Sequence, residues 1–418
     1  MKKIAIIGGG PAGMMAAASF LESTQTMDYE VHIFETNKVL GRKLVISGGG
    51  RCNVTTGIFD KKTLATKYTR GFDFLESSLG EFSPKKCKKW FESHDLPLKI
   101  QEDNRVFPVS DDGNDVLAVF EKIFKNNSKV FLHFQEKIQN IEKISEKFII
   151  TSTNTSLEAD YCVIATGGNA YRHTGSTGDG YAFAKNLGHQ ITALGPSLSS
   201  FLIQEEFLKK ISGTTFSDAK IIFTHENEKK DLTGSLLLTH FGISGPLTFM
   251  LSSHLAWSEI LEQKIFLAPI ATMNFDDWNQ FLKQKFQEHP KKKIFAILRE
   301  KLSEKFCDTI ICEFFANLKE VFAGSISKND REKIAKLLGD GLQITLLERR
   351  PGDEFVTAGG IETTEISPKT MESKICENLY FAGEILNVDG YTGGFSLQIC
   401  WSTGFVAGRT IAEKISKK

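Results

Sequence analysis

Gly8, Gly10 and Gly13 stand in the spacing G-x-G-x-x-G, after the apolar run Ile4-Ala5-Ile6-Ile7 and before an Ala- and Met-rich stretch. This spacing binds a dinucleotide diphosphate. Gly8 permits the tight turn, Gly10 lets the backbone approach a pyrophosphate, and Gly13 lets the helix pack closely on the strand. Pro11 and Ala12 open that helix, whose free N–H groups and dipole attract anions. Glu35 ends the next alternating run, Glu30-Val31-His32-Ile33-Phe34-Glu35. It lies at roughly the 20-residue distance expected of a carboxylate that bonds a ribose hydroxyl. The alternative is a structural glycine turn, and the fingerprint by itself does not separate a flavin from a nicotinamide dinucleotide.

Further along, Gly41-Arg42-Lys43 and Gly48-Gly49-Gly50-Arg51-Cys52-Asn53 place three glycines between two basic stretches. A glycine run exposes several backbone N–H groups to an anion or a ring. Arg42, Lys43 and Arg51 are cations able to pair with phosphate; the competing reading is a flexible surface loop. Near the C-terminus, Asn378–Ala382 reads as a buried strand ending at Gly383-Glu384, followed by Asp389-Gly390 and Gly393-Gly394 before a helix from about residue 396. This second helix start, Gly393, Gly394, Phe395, Ser396, Leu397 and Gln398, aims N–H groups at something electron-rich. Glu384 reads as a hydrogen-bond acceptor for a hydroxyl in preference to a catalyst. Asp179, in Thr174-Gly-Ser-Thr-Gly-Asp-Gly180, is read either as the cap of a helix 181–188 or as part of a turn near the substrate. Arg105, His240 and Tyr391 are the candidate catalytic residues.

Other chemistries find no support. Gly242-Ile243-Ser244-Gly245-Pro246 is not a nucleophile elbow, because Pro246 stands where that motif needs glycine. His173, His189, His225 and His240 lack metal-ligand spacing. The seven cysteines contain no CxxC pair, so Cys52 has no redox partner nearby and a reducing, cytoplasmic setting is expected. N-x-S/T matches at Asn53, Asn126 and Asn154 then carry no meaning. Lys+Arg and Asp+Glu both total 51, which gives no basic excess for nucleic acid or an anionic membrane. The apolar start is too short for a signal peptide and no window reaches the ~20 residues of a membrane span.

With 418 residues, two or three domains are expected. The first β-α-β unit (strands 3–7 and 30–35, helix 12–21) implies a parallel pair. Residues 130–134 and 146–151 read as further strands forming an antiparallel piece, and 161–165 as an apolar strand ending in Thr166-Gly167-Gly168. Residues 197–270 look β-rich. Residues 275–339 have helical spacing, with Ser327 and Asp330 forming an S-x-x-D cap and Gly339 and Gly341 ending that helix. Residues 342–348 return to strand.

Six segments together resemble the BaiN/YhiN-like FAD-dependent oxidoreductases, also described as aminoacetone oxidase-like. They are GRKLVISGGGRCNV (41–54), RVFPVS (105–110), ATGG with TGSTGDGYAFAKNLGH (165–168 and 174–189), LTHFGISGP (238–246), VTAGGI (356–361) and YFAGEILNVDGYTGGFSLQICWSTGFVAG (380–408). Thr56 stands where that family more often has Asn, and Arg172 where it has Pro. The resemblance implies an α/β fold: a Rossmann-type, glutathione-reductase-like FAD-binding domain made of 1–196 and 351–418. Inserted in it are a β-barrel-like domain (197–273 and 340–350) and a helical domain (274–339). It also implies non-covalent FAD, held by Glu35, Arg42, Gly49, Arg51, Asn53, Thr166, Gly383, Glu384 and 393–398, with Lys43, Gly48, Cys52 and Gly167 in the same segments. Residues 238–246, Phe241 and Gly242 among them, are expected beside the cofactor.

The sequence thus reads as a flavoprotein oxidoreductase acting on a small organic substrate, with NAD(P)H as a transient reductant. No second G-x-G-x-x-G follows a strand, so a dedicated NAD(P)H domain is not expected. The rivals are a flavin- or nucleotide-binding regulatory protein and an NAD-only dehydrogenase; the second helix start at 393–398 speaks against the latter.

Overall fold

The computed structural model describes residues 1–25 and 28–417. The chain forms two compact units, Met1–Pro196 with Phe355–Lys418, and Ser197–Glu354. In the first, five parallel strands lie in the order Leu379–Phe381, Tyr161–Ile164, Lys2–Ile7, Tyr29–Glu35, Val130–Phe134. Their near-continuous apolar runs suit a sheet covered on both faces. Val130–Phe134 was expected in an antiparallel piece. It instead pairs parallel with the second strand, Val31 opposite Val130 through Glu35 opposite Phe134. The antiparallel sheet is made by Ile138–Ile144, Lys147–Ser152 and Ser156–Ala159.

The helix Pro11–Ser23 packs against the C-terminal helix Phe395–Ser416. The seam is built from small residues. A Cβ on Gly404 would lie 2.4 Å from the Ala12 carbonyl oxygen, and one on Gly408 2.0 Å from that of Ala16. Glycines four apart share one helix face, so the two backbones meet along a line and the chain's two ends become one structural element.

The second unit is a closed six-strand barrel: Phe201–Ile203, Gly242–Ser244, Glu228–Leu238, Thr215–His225, Gln263–Ala268, Leu342–Arg349. The sequence separates the helical stretch 274–339 from the β-rich part. In the structure Trp278, Leu282, Phe306 and Ile334 share one core with the barrel residues Phe216, Ile221, Ile265 and Leu346. The amphipathic helices bury their apolar stripe on the barrel, so both parts form one unit. Ser327 caps the helix Lys328–Gly339 by accepting the Asp330 N–H, as the S-x-x-D pattern requires. Among the described residues no helix is long and apolar enough to cross a membrane, and no three His, Cys, Asp or Glu side chains cluster as metal ligands.

At the edge of the parallel sheet His32 and His133 share a hydrogen bond of 3.0 Å, Nδ1 to Nε2. His32 stacks on Phe131, and His133 on Phe34. Burial pulls both imidazoles below the usual histidine range, while Glu30 beside His32 and Glu136 near His133 oppose that shift; Lys3 adds to it at His32. With the folded values depressed, the unfolded chain takes protons first as pH falls. The stability these residues contribute is therefore complete above the ordinary histidine value of about 6.5 and is lost as pH drops below it. His189, also depressed by burial, acts in the same window. The urea midpoint should fall between about pH 7.5 and 5.5, and the fall should be smaller in a His32→Phe, His133→Phe variant; equal falls would show that the pair does not titrate on unfolding.

Candidate functional site

The fingerprint glycines do three different jobs. Gly8 has φ +109°, and a Cβ there would sit 2.5 Å from the Ala165 carbonyl oxygen. Gly13 packs the helix onto the strand end, since its Cβ would meet the Gly8 carbonyl oxygen at 2.0 Å. A Cβ on Gly10 would meet nothing within 4 Å. The first two are demanded by the protein itself, whereas Gly10 borders open space. Pro11 is the first helical residue and no side chain caps the helix, so the first-turn N–H groups face that same space.

Glu35 is held at this turn. Its Oε2 accepts the Gly9 N–H at 3.1 Å, and its Oε1 accepts the Asn37 backbone N–H at 2.8 Å and side-chain amide at 2.6 Å. Asn37 also donates to the Thr174 carbonyl, and Arg42 donates to the Asn37 side-chain oxygen. Asn37 is a residue that sequence reading missed. Its signal was its place two residues after the carboxylate, where a short amide can turn back on it.

The glycine-rich segment folds as a short helix, Arg42–Ile46, and a tight turn, Ser47–Gly50. Gly48, Gly49 and Gly50 all have positive φ, and Cβ atoms on Gly49 and Gly50 would meet nothing within 4 Å. These two, like Gly10, border open space, while Gly48 lies against Phe107 and Asn53. The side chains expected at phosphates have partners within the protein. Arg51 lies 4.0 Å over the Phe107 ring and 3.6 Å from Asp111, and Lys43 bonds Glu384 at 2.9 Å. Asn53 accepts the Val106 N–H. Cys52 turns its thiol fully into the core, where burial pushes it up to about 12; it is neither a thiolate nor able to reach a ligand through sulfur.

Around the strand end at Thr166 and Gly167, three buried polar atoms have no partner: Thr166 Oγ1, Asn169 Oδ1 and the Tyr181 hydroxyl. A Cβ on Gly180 would collide with Thr166 Oγ1, so the Gly178–Gly180 turn lies against this strand end. Buried polar atoms normally have partners, and a cluster without them fits a polar ligand. Asp179 does not cap the following helix. Gly178, with φ +83°, is the cap residue, and Asp179 begins the helix and pairs with Lys137 at 3.1 Å.

The C-terminal segment crosses the fingerprint. A Cβ on Gly383 would lie 2.7 Å from the Ala12 side chain. Glu384 accepts from Lys43 and from the Thr357 N–H at 3.0 Å, an arrangement that no local sequence pattern announced. At the second helix start Gly394 is required by the protein itself: its Cβ would strike the Thr55 carbonyl oxygen at 2.3 Å. Gly393, at φ +129°, lies against the ring of Phe395. Gly394→Val would therefore disturb the protein whatever is bound. Gln398 is fully buried and bonds Thr55, Phe82 and Ser402, and Phe395 is buried against Tyr68. Of the 393–398 stretch, Ser396 and Leu397 remain half-buried; no side chain caps this helix.

The three catalytic candidates have different surroundings. Arg105 is half-buried and paired with Asp103 at 2.6 Å. His240 is exposed, edge-on to Phe241, and belongs to the second unit. Tyr391 is half-buried, two residues before Gly393, with its phenol hydrogen-bonded to the Thr69 side chain.

Comparison with known proteins gives three kinds of likeness. The family described as HI0933-like protein Rossmann domain matches residues 2–410. The chain is 29% identical over 422 residues to the 3-dehydro-bile acid delta(4,6)-reductase of Clostridium scindens, covering 99% of this chain and 100% of that protein. It is 28% identical over 417 residues to the ribosomal RNA dihydrouridine synthase of Haemophilus influenzae, covering 98% of each. The fold is similar to that of 3-ketosteroid delta1-dehydrogenase from Sterolibacterium denitrificans, with a TM-score of 0.52 at 11% identity over 99% of this chain and 100% of that one.

A carboxylate accepting ribose hydroxyls forms charge-assisted bonds of about 1.5–3 kcal/mol. Glu35→Ala should weaken FAD binding roughly 10- to 150-fold by that arithmetic. Asn37→Ala, which keeps the backbone N–H on Oε1 but removes the side-chain amide that orients the carboxylate, should weaken it by a smaller factor. Fluorescence titration of the apoprotein measures both, and an unchanged dissociation constant in Glu35→Ala would remove that residue from the site.

Proposed function

This chain belongs to the HI0933-like Rossmann family, and on that premise we propose that it is an FAD-dependent reductase of a carbon–carbon double bond conjugated to a carbonyl group. It is a flavin-dependent oxidoreductase. The observation that carries the finer reading is the full-length likeness to two proteins whose names differ in substrate but share a bond type. A 3-dehydro bile acid unsaturated at positions 4 and 6 is a conjugated ketone, and dihydrouridine arises by saturating the uracil double bond next to a carbonyl. Both bonds accept a hydride because the carbonyl withdraws electrons from the far carbon.

The residues of the first unit suit FAD, bound without a covalent link. Open space at Gly10, Gly49 and Gly50, uncapped N–H groups at the helix Pro11–Ser23 and a fixed carboxylate at Glu35 support a pyrophosphate and ribose site. Thr166, Asn169 and Tyr181 supply the unpaired polar atoms, and Lys43 with Glu384 adds a charged pair beside them. Bound there, FAD would supply hydride transfer through its N5 atom. The uncapped N–H groups at Phe395–Leu397 would face the negative charge that reduction creates, and the helix dipole favours such charge.

A small organic enone is the proposed substrate, with a reduced nicotinamide as transient hydride source and a cytoplasmic location. The balance of 51 basic and 51 acidic residues favours a small molecule over RNA, although the second relative acts on ribosomal RNA by name. Anaerobic spectroscopy tests the reading. The purified protein should be yellow and release FAD on heating. Its flavin should bleach with NADH or NADPH and recover its colour on adding progesterone or carvone. Recovery only with an unmodified ribosomal RNA transcript would assign the RNA substrate. Recovery with none of these acceptors would overturn the reading.

A further inference from the structure

Saturating a conjugated double bond needs a proton as well as a hydride. The hydride adds to the carbon β to the carbonyl, the π pair moves to form an enolate, and the α carbon then takes a proton. The reading above names the hydride source but no acid. Among the three candidates, Arg105 pairs with Asp103, and a guanidinium does not give up its proton at neutral pH. His240 lies in the other unit. Tyr391 stands on the segment leading into the second helix start.

That segment is fixed on several sides. Asp389, fully buried, receives both Nε and Nη2 of Arg70 in a bidentate pair. Asp389-Gly390 pairs antiparallel with Tyr68–Arg70, and the Tyr391 N–H bonds the Lys67 carbonyl at 2.9 Å. Gly394 is wedged on the Thr55 backbone. A single rigid strip therefore carries Tyr391 into the helix start, and the phenol itself is held by Thr69. Burial and the Asp389 charge raise the phenol above its ordinary value, while Arg70 and the Thr69 bond work the other way. Burial thus favours the neutral phenol, and the Arg70 guanidinium beside it is itself paired with Asp389.

We propose that Tyr391 is the acid that protonates the α carbon, with Arg70 and Asp389 as positioning residues for the strip that carries it. The inference rests on the reduction proposed above. In the step, the Tyr391 O–H bond breaks, a C–H bond forms at the α carbon, and the enolate becomes the saturated ketone. Solvent water then returns a proton to the phenolate. The two electrons come from the reduced flavin, refilled by a nicotinamide donor.

The test uses Tyr391→Phe as holoenzyme, reduced anaerobically with dithionite and mixed with carvone, progesterone or ferricyanide. Ferricyanide takes single electrons and needs no carbon protonated, so its rate should match wild type and report an intact flavin site. Reoxidation by the enones should slow roughly 10²- to 10⁴-fold, the usual contribution of a positioned acid. Carvone carries a substituent on its α carbon, so wild type should yield one diastereomer of dihydrocarvone, while the residual product of the variant should be mixed because water protonates either face. Equal enone rates and one diastereomer in both proteins would overturn the role of Tyr391 and leave the reductase reading standing. Slowing with ferricyanide to the same degree would make the residue structural and also overturn the proposal. Wild type unmoved by either enone would remove the small-enone reaction itself, and the proposal with it.

Discussion

The close crossing of the first and last helices is the constraint on which the first unit depends. Pro11–Ser23 and Phe395–Ser416 meet through Gly404 on Ala12 and Gly408 on Ala16. No larger residue fits, because the atoms opposite are backbone carbonyls that cannot move without breaking the helix. The crossing brings residues nearly 400 positions apart to one place. Gly383 lies on Ala12, Glu384 reaches Lys43, and the second helix start rests on Thr55. Two helix N-termini that are remote in sequence thereby share one wall of the parallel sheet.

Charged pairs do a different task there. Arg70–Asp389 and Lys43–Glu384 are largely or partly withdrawn from water. Burying such pairs costs nearly as much desolvation as their attraction returns, so they add little net stability. Their value lies in direction, since a bidentate guanidinium–carboxylate pair tolerates one geometry only. Each ties a segment on the C-terminal side to one on the N-terminal side, close in sequence to glycines that leave the backbone freer. Glycine supplies the conformation and the ion pair then removes the remaining freedom.

The second unit is organised by burial alone. A six-strand barrel of this size cannot cover its own outer apolar faces, and the helices inserted between its strands Gln263–Ala268 and Leu342–Arg349 supply cover. Trp278, Leu282 and Ile334 are completely buried in this common core. Glycine again marks a tight point: Gly339 ends one helix where a Cβ would strike the backbone of Phe275, the first residue of another.

By itself the sequence determined what depends on neighbours along the chain. The alternation and apolar runs placed the strands, Ser327 placed a helix start, and the spacing of Gly8, Gly10, Gly13 and Glu35 described a phosphate and ribose site, because strand, turn and helix follow one another within a few dozen residues. The tertiary structure alone decided which of these residues face a ligand. Cys52, Gln398 and Asn53 sit in ligand-like motifs, yet their side chains belong to the core or to a neighbouring strand. Gly394 is a glycine because of Thr55, a contact between residues more than 300 apart. The edge strand Val130–Phe134 joined the parallel sheet because its partner is chosen by space and burial, and its own five residues carry no mark of parallel or antiparallel pairing. Asn37, Arg70 and Thr357 entered the site for the same reason. A lone polar or charged side chain carries no local mark of its partner, and its role is set only when folding places a carboxylate or a free amide within hydrogen-bond reach.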